Sequence, residues 1–173
     1  VKYGGVFRFM STENIQTLLP LQATNVYTQR VTSQIFESLL KLDPSGSKVI
    51  PALAESYTVS PDGKTVSLTI RKGVYFHPDD CLDGEGRELN AEDVKFCLDL
   101  ACSQLPLNEI SFMLTSKVKG GDEFYKATKS SFKEGGVSGI KTNGRYCLKI
   151  ELNAAYSGID KLLTYSGFGI FPK

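Results

Sequence analysis

The sequence lacks the residue patterns on which most catalytic and metal sites are built. It contains one histidine, His77, and no second ligand stands at metal-binding spacing from it. The acidic loop at residues 79–88 does not follow the ligand spacing of a calcium-binding loop. Neither a Gly-x-Ser-x-Gly nucleophile elbow nor a phosphate-binding Gly-Lys-Ser/Thr loop occurs. We therefore predict no catalytic residue, no metal and no cofactor.

An excess of one charge and a long hydrophobic run are also absent. The 173 residues include 20 basic and 19 acidic side chains, which give a formal net charge of +1. This balance offers no basic face for nucleic acid, so no nucleic-acid partner is predicted. No run is long and apolar enough for a transmembrane helix. The chain opens at Val1 without an initiator Met or a signal peptide, so we expect a trimmed form of a longer protein.

Cysteine is sparse, and its spacing requires no disulfide. The four cysteines are Cys81, Cys97, Cys102 and Cys147, and none of them forms a Cys-x-x-Cys pair. A zinc knuckle and a thioredoxin-like motif are therefore unsupported. We expect the four thiols to be mostly or wholly unpaired, with the role of small buried hydrophobic side chains.

Two β-hairpins are predicted from alternating apolar residues. Residues 56–60 and 65–71 alternate on either side of Ser60-Pro61-Asp62-Gly63, which carries Pro and Gly where a β-turn favours them. A second hairpin is predicted around the two-residue turn Asn143-Gly144, because apolar residues alternate over 146–152. A further strand is predicted in "GGVFRF", residues 4–9.

Helical spacing of apolar residues appears in other segments. Residues 27–42 carry Val31, Ile35, Leu39 and Leu42 near helical spacing, which predicts one long helix. Residues 90–105 form the clearest helix, with Asn90 as N-cap, Asp93 in a capping box, and Pro106 beyond its end. Short helices are predicted in residues 120–136 and within residues 158–173, where Pro172 marks a stop. Because strands and helices do not alternate in β-α-β order, we predict an α+β fold with a mostly antiparallel sheet and packed helices.

The order of these motifs resembles the family 5 extracellular solute-binding proteins of ABC importers, of the oligopeptide- and dipeptide-binding type. The resemblance is carried, in the family's order, by "GGVFRF", "IFESLLKLDPSG", "VIPALAESYTVSPDGKTVSLTIRKGVYFH", "LNAEDVKFCLDL", "GVSGIKTNGRYCLKIEL" and "GIFPK". The stretch from Pro51 to Val94 is the most specific. Two departures are Tyr57, where most members have Trp, and a longer loop at residues 77–88, which is similar to lipoprotein members of the family.

The resemblance implies a fold and a domain division. The chain would be part of a two-lobed periplasmic-binding-protein type II fold. Residues 1–44 would be an incomplete first segment of domain I, and residues 45–173 the smaller domain II. The rest of domain I and all of domain III would be absent, so we expect an N-terminal fragment, cloned or proteolytic.

The resemblance also implies a function. The intact protein would capture a peptide or another small solute in the periplasm or cell envelope and deliver it to an ABC permease, whose ATPase is a separate chain. A lipid anchor on the full-length protein is a further implication. An envelope sensor or interaction module without a transport role is the alternative. An enzyme is disfavoured because no convergent acid, base or nucleophile set occurs.

A ligand-binding strip is predicted before the first helix. The connector at residues 23–28 is irregular and moderately polar, which is also compatible with a plain surface connector. By resemblance it lines the ligand cleft and offers backbone groups to an extended peptide. The predicted ligand-binding residues are Thr24, Asn25, Val26 and Tyr27, with Phe112 from a second region that approaches the cleft.

Overall fold

The computed structural model describes residues 4–6, 8–82 and 84–173. The α-helices are α1 (Val26–Ile35), α2 (Ala91–Ala101), α3 (Ser111–Leu114), α4 (Gly121–Ala127) and α5 (Ile159–Leu162). The β-strands are β1 (Leu40–Leu42), β2 (Val49–Pro51), β3 (Ala54–Val59), β4 (Thr65–Ile70), β5 (Ile140–Asn143) and β6 (Cys147–Glu151). Single turns of 3₁₀ helix lie at Pro20–Gln22, Asp80–Leu82 and Ser166–Phe168.

A four-stranded antiparallel sheet forms the centre of the fold. Its strand order is β3-β4-β6-β5, and every neighbouring pair is antiparallel. Leu68 of β4 lies opposite Tyr57 on one side and Leu148 on the other. Strands β1 and β2 form a separate two-stranded antiparallel ribbon. The predicted α+β class with antiparallel pairing is confirmed.

The core lies between one face of this sheet and helix α2. Alternate residues of a strand point to the same face, and residues three and four apart share one face of a helix. The buried side chains that follow these two periods are Val66, Leu68, Ile70, Leu148, Ile150, Val94, Cys97, Leu98 and Ala101. Complete burial of each larger aliphatic side chain contributes about 1.5–3 kcal/mol, so this contact fixes α2 on the sheet.

Both predicted hairpins are present, and one turn differs from its prediction. The Gly63 N–H donates to the Ser60 carbonyl at 2.8 Å, which closes the predicted turn between β3 and β4. In the second hairpin Asn143 pairs with Cys147, so three residues rather than two connect β5 and β6. The prediction of a two-residue turn is therefore wrong. Gly144 still supplies the left-handed conformation that the turn requires, with φ of 70°.

The start of α2 confirms the predicted capping box. The Asn90 side chain accepts from the Glu92 and Asp93 N–H groups at 2.8 and 3.3 Å. The Asp93 carboxylate accepts in return from the Asn90 N–H at 3.0 Å. The helix ends at Ala101, short of the predicted end at residue 105.

Helix α1 is shorter than predicted and buries a different face. It ends at Ile35, Phe36 is extended, and residues 40–42 form strand β1 instead of a last helical turn. Thr28 and Thr32 are buried, whereas Ile35 is 47% exposed. Pairing of β1 with β2 outweighs the helical spacing, because it places Leu40 in the core in a strand.

The predicted strand over residues 4–9 is wrong. Residues 4–6, 8 and 9 belong to no strand, and Phe7 lies outside the described residues. Val6 is 83% exposed, so its side chain contributes nothing to the core. A strand forms by pairing its backbone groups with a neighbour, and the described strands pair only with one another.

The closing segment, residues 170–173, is fixed to α2 and to the residues after α1. The Ile170 N–H donates to the Glu37 carbonyl at 3.0 Å. The Lys173 N–H donates to the buried Asp93 carboxylate at 3.1 Å, and Arg87 pairs with the same carboxylate. These contacts join the end of the chain to the two segments that flank the core.

All four cysteines carry free thiols. Cys97 and Cys102 are buried, and Cys81 and Cys147 are exposed. The prediction of unpaired thiols is confirmed. The prediction of buried side chains is wrong for Cys81 and Cys147, because a loop and the outward face of β6 leave them exposed.

Candidate functional site

The predicted ligand-binding strip, residues 24–27, lies between the first 3₁₀ turn and the start of α1. The Asn25 side chain caps α1, because its Oδ1 accepts from the Thr28 N–H at 2.8 Å. Behind the strip, the Gln29 amide donates to the Ala23 carbonyl at 2.9 Å and to the Tyr165 hydroxyl at 3.0 Å. The strip is therefore held from its buried side.

Backbone groups of the strip are left available on its other side. Among the described residues, none accepts from the N–H groups of Asn25, Val26 and Tyr27. The first N–H groups of a helix have no partner within the helix, so such donors can bind an external acceptor. The Val26 side chain beside them is 59% exposed. The strip thus presents main-chain donors next to an apolar side chain.

The structure brings the second predicted region against the strip. The Glu109 N–H donates to the Leu21 carbonyl at 3.1 Å. The Thr24 hydroxyl donates to the Glu109 carboxylate at 3.3 Å. Phe112 follows three positions later in α3, and its side chain is 73% exposed. The strip and the residues just before it are therefore bonded to Glu109, which lies three positions before Phe112.

A rigid turn positions this second segment. The Asn108 side-chain amide donates to the carbonyl groups of Leu100, Ala101 and Ser103 at 2.8, 2.9 and 2.8 Å. Its oxygen accepts from the Ile110 N–H at 3.1 Å, and Ile110 is buried. Neither Asn108 nor Glu109 belongs to a motif that the sequence reveals. The bonds of Asn108 are local, within eight positions, whereas the role of Glu109 depends on contacts distant in sequence.

Opposite charges flank the strip. The Arg30 guanidinium lies 5.9 Å from the centre of the Tyr27 ring, a cation–π distance. In the described part of the chain, no Lys or Arg forms an ion pair with Glu109. The surface therefore has one cation and one unpaired carboxylate with which to contact a ligand.

A separate apolar groove lies at the other end of α1. It has a volume of about 350 Å³ and runs between residues 74–82 and the closing segment. His77 and Cys81 are among its lining residues, and none of the five predicted ligand-binding residues is. The described helices include none with the length and apolarity that crossing a membrane requires.

Comparison with protein families identifies the chain. Residues 48–173 match the family model described as bacterial extracellular solute-binding proteins, family 5 Middle. The chain belongs to family 5 of the bacterial extracellular solute-binding proteins. The family that the sequence motifs resemble is thereby confirmed.

Curated relatives match over part of their length. A di/tripeptide-binding protein from Pseudomonas aeruginosa is 46% identical over 65 residues, which cover 38% of this chain and 12% of the relative. A glutathione-binding protein from Salmonella choleraesuis is 40% identical over 88 residues, which cover 51% of this chain and 16% of the relative. The matched region thus spans less than a fifth of each of these relatives.

Solved structures share the fold over nearly the whole chain. The substrate-binding domain of an oligopeptide ABC transporter from Bacillus anthracis superposes with a TM-score of 0.75 at 23% identity, covering 94% of this chain and 29% of that one. Haemophilus influenzae OppA in complex with RPPGFSPFR gives a TM-score of 0.74 at 21% identity, covering 91% and 28%. The prediction that the chain forms part of a type II periplasmic-binding-protein fold is confirmed.

Proposed function

We propose that this chain forms one wall of the ligand cleft in a peptide-binding receptor of an ABC importer. The observation that carries the proposal is the pair of hydrogen bonds that tie Glu109, three positions before Phe112, to the strip and to Leu21, together with the strip's free main-chain donors. The names of the relatives support it, since they include di/tripeptide-, dipeptide- and glutathione-binding proteins.

The strip suits recognition that does not depend on ligand sequence. An extended peptide offers main-chain carbonyl groups, and the free N–H groups of residues 25–27 at the start of α1 can donate to such an acceptor. The exposed side chains of Val26 and Phe112 add apolar contact. Such a wall accepts many peptides, because main-chain hydrogen bonds are common to all of them.

One wall alone binds weakly. Each main-chain hydrogen bond contributes about 0.5–1.5 kcal/mol net. The loss of freedom on association costs about 4–15 kcal/mol, so a few open bonds give little affinity. A second lobe that closes over the peptide would exclude water from the other side. We expect a receptor that carries both walls to bind at least about a hundredfold more tightly, or about 2.7 kcal/mol.

The domain division follows from the same proposal. Residues 1–44 are proposed as a segment of domain I, and residues 45–173 as the smaller domain II. We propose a periplasmic or cell-envelope location, an ABC permease and its ATPase as partners, and a lipid anchor on a longer form. No catalytic role is proposed, because the strip combines hydrogen-bonding and apolar groups without an acid, base and nucleophile in contact.

A titration followed by NMR tests the binding surface. The chain labelled with ¹⁵N is titrated with trialanine, and the amide shifts of residues 24–27 and 109–112 are followed. We expect saturable shifts in both segments at millimolar peptide, and weaker binding by Phe112→Ala. Tyr75→Ala is the matched control, because Tyr75 is also an exposed aromatic residue but lines the separate groove. Shifts confined to other parts of the chain would contradict the proposal.

A further inference from the structure

We infer that Glu109 is a specificity-determining residue, which selects ligands that carry a cationic group next to an apolar side chain. The inference rests on the proposed function, since it assigns a preference to the same surface. Sequence motifs gave no indication of it, because Glu109 reaches the strip only through the fold.

The Glu109 carboxylate is held at the surface in a defined position. Its backbone N–H is bonded to the Leu21 carbonyl at 3.1 Å, and its side chain accepts from Thr24 at 3.3 Å. The residues on either side are fixed as well, Asn108 by its hydrogen bonds to three carbonyl groups and Ile110 by burial. A group held in this way loses little conformational entropy when a ligand binds.

The carboxylate still has capacity for a cation. A carboxylate offers about four lone-pair sites, and in the described residues the only donor to this side chain is the Thr24 hydroxyl. None of the described ion pairs includes Glu109. An ammonium or guanidinium group of a ligand would fill the remaining sites, whereas an anionic group would be repelled.

Each of the two segments that meet at the carboxylate carries an exposed apolar side chain. Val26 begins α1 directly after Asn25, and Phe112 lies in α3, three residues beyond Glu109. Their side chains are exposed and would be partly buried by an aliphatic or aromatic group of the ligand. Displacement of water by these apolar contacts strengthens the ion pair, because the local dielectric falls. The surface therefore favours a cation with an adjoining apolar group.

A peptide can supply that cation in two ways, through its N-terminal ammonium or through a basic side chain. Four peptides separate them: Leu-Lys-Leu and Leu-norleucine-Leu, each with a free and an acetylated N-terminus. Norleucine keeps most of the length of the lysine side chain without its charge. Binding to the ¹⁵N-labelled chain is measured from the amide shifts of residues 24–27 and 109–112. The protein variants are Glu109→Gln, which keeps an oxygen for Thr24, and Glu123→Gln, which removes an exposed charge on α4.

We expect Glu109→Gln to weaken binding of the cationic peptides about fivefold, as one partly exposed ion pair would give. Binding of acetylated Leu-norleucine-Leu, which has no cation, should not change, and Glu123→Gln should have no effect on any peptide. If Glu109→Gln still weakens binding of acetylated Leu-Lys-Leu, the lysine side chain is the cation that Glu109 binds. If Glu109→Gln weakens binding of Leu-norleucine-Leu only when its N-terminus is free, the N-terminal ammonium is the cation that Glu109 binds. Either assignment supports the inference.

Two other outcomes overturn it in distinguishable ways. If all four peptides shift residues 24–27 but bind Glu109→Gln as tightly as the parent chain, the inference is wrong and the proposed function stands. If no peptide shifts these residues, the proposed binding surface is wrong and the inference fails with it.

Discussion

The Thr24 hydroxyl donates to the Glu109 carboxylate at 3.3 Å, although 85 positions separate the two residues in the sequence. The backbone bond from Glu109 to Leu21 is a second tie between the same segments. Together they hold the start of α1 against the turn before α3. The surface proposed to bind ligand therefore depends on both segments being folded.

The Asn25 cap should stabilise the strip measurably. Asn25→Ala removes the acceptor for the Thr28 N–H, and loss of such a cap costs about 1 kcal/mol. Urea unfolding should show this decrease in the free energy of unfolding. Asn25→Asp keeps the acceptor and is the matched control. Equal stability of the parent and the Ala variant would show that the cap contributes nothing.

Local patterns predicted much of the fold from sequence. The alternation of Val66, Leu68 and Ile70 predicted β4, and the Asn90 cap predicted the start of α2, because each signal lies within one element. The prediction over residues 27–42 was wrong where pairing with the next strand, β2, decided the outcome, because helical spacing within one segment does not reveal such pairing. For the candidate site, the strip could be proposed by resemblance, but Glu109 could not, since only the fold places it beside Thr24.

Gly136 should tolerate substitution far less than its neighbour Gly135. Both have positive φ, 66° and 88°, so alanine is strained at either position by about 1 kcal/mol. A Cβ on Gly136 would also lie 1.9 Å from the Asp99 carboxylate, whereas nothing lies within 4 Å at Gly135. The oxygen in question, Oδ2, pairs with Lys95 at 2.8 Å, and a shift of the carboxylate would also strain the bond that Oδ1 accepts from the Val137 N–H at 2.9 Å.

We therefore expect Gly136→Ala to cost about 2 kcal/mol more than Gly135→Ala, as loss of a hydrogen bond to a charged group implies. Chemical unfolding of the two variants side by side measures this difference directly. Equal costs would mean that Asp99 adjusts without losing its bond.

Asp99 should make stability depend on pH. Burial raises its pKa above the ordinary value of 3.8, and the contacts with Lys95 and the Val137 N–H oppose this only in part. The native state then binds the proton at a higher pH than the unfolded chain does. Its contribution is therefore fully present below about pH 3.8 and is lost as pH rises through the native pKa.

Asp99→Asn isolates this contribution, because asparagine keeps an acceptor for Val137 and does not titrate. The measurement is the free energy of unfolding of the parent minus that of the variant, at several values between about pH 4 and pH 7. We expect this difference to decrease as pH rises. Groups that titrate in both proteins affect both free energies equally and so cancel from the difference. A difference that increases with pH would show that the Lys95 pair outweighs burial.

The four thiols should react in two classes. The thiolate is the reactive form, so a raised pKa and burial both slow alkylation. Burial raises the pKa of the Cys97 thiol to about 12 and that of Cys102 further still. The Cys97 sulfur also lies 3.3 Å from the Phe171 carbonyl oxygen, so a reagent reaches it only when the closing segment is released. Cys81 and Cys147 are exposed in the folded chain.

Brief treatment with iodoacetamide at about pH 8, followed by peptide mass spectrometry, should therefore label Cys81 and Cys147 and leave the other two free. All four should react in urea. A hydrogen bond to the Asp79 carboxylate raises the pKa of Cys81, so Asp79→Asn should speed labelling of Cys81 without changing Cys147. Native labelling of Cys97 as fast as that of Cys147 would mean that the closing segment opens readily. Fewer than four reactive thiols in urea would instead reveal a disulfide, contrary to the structure.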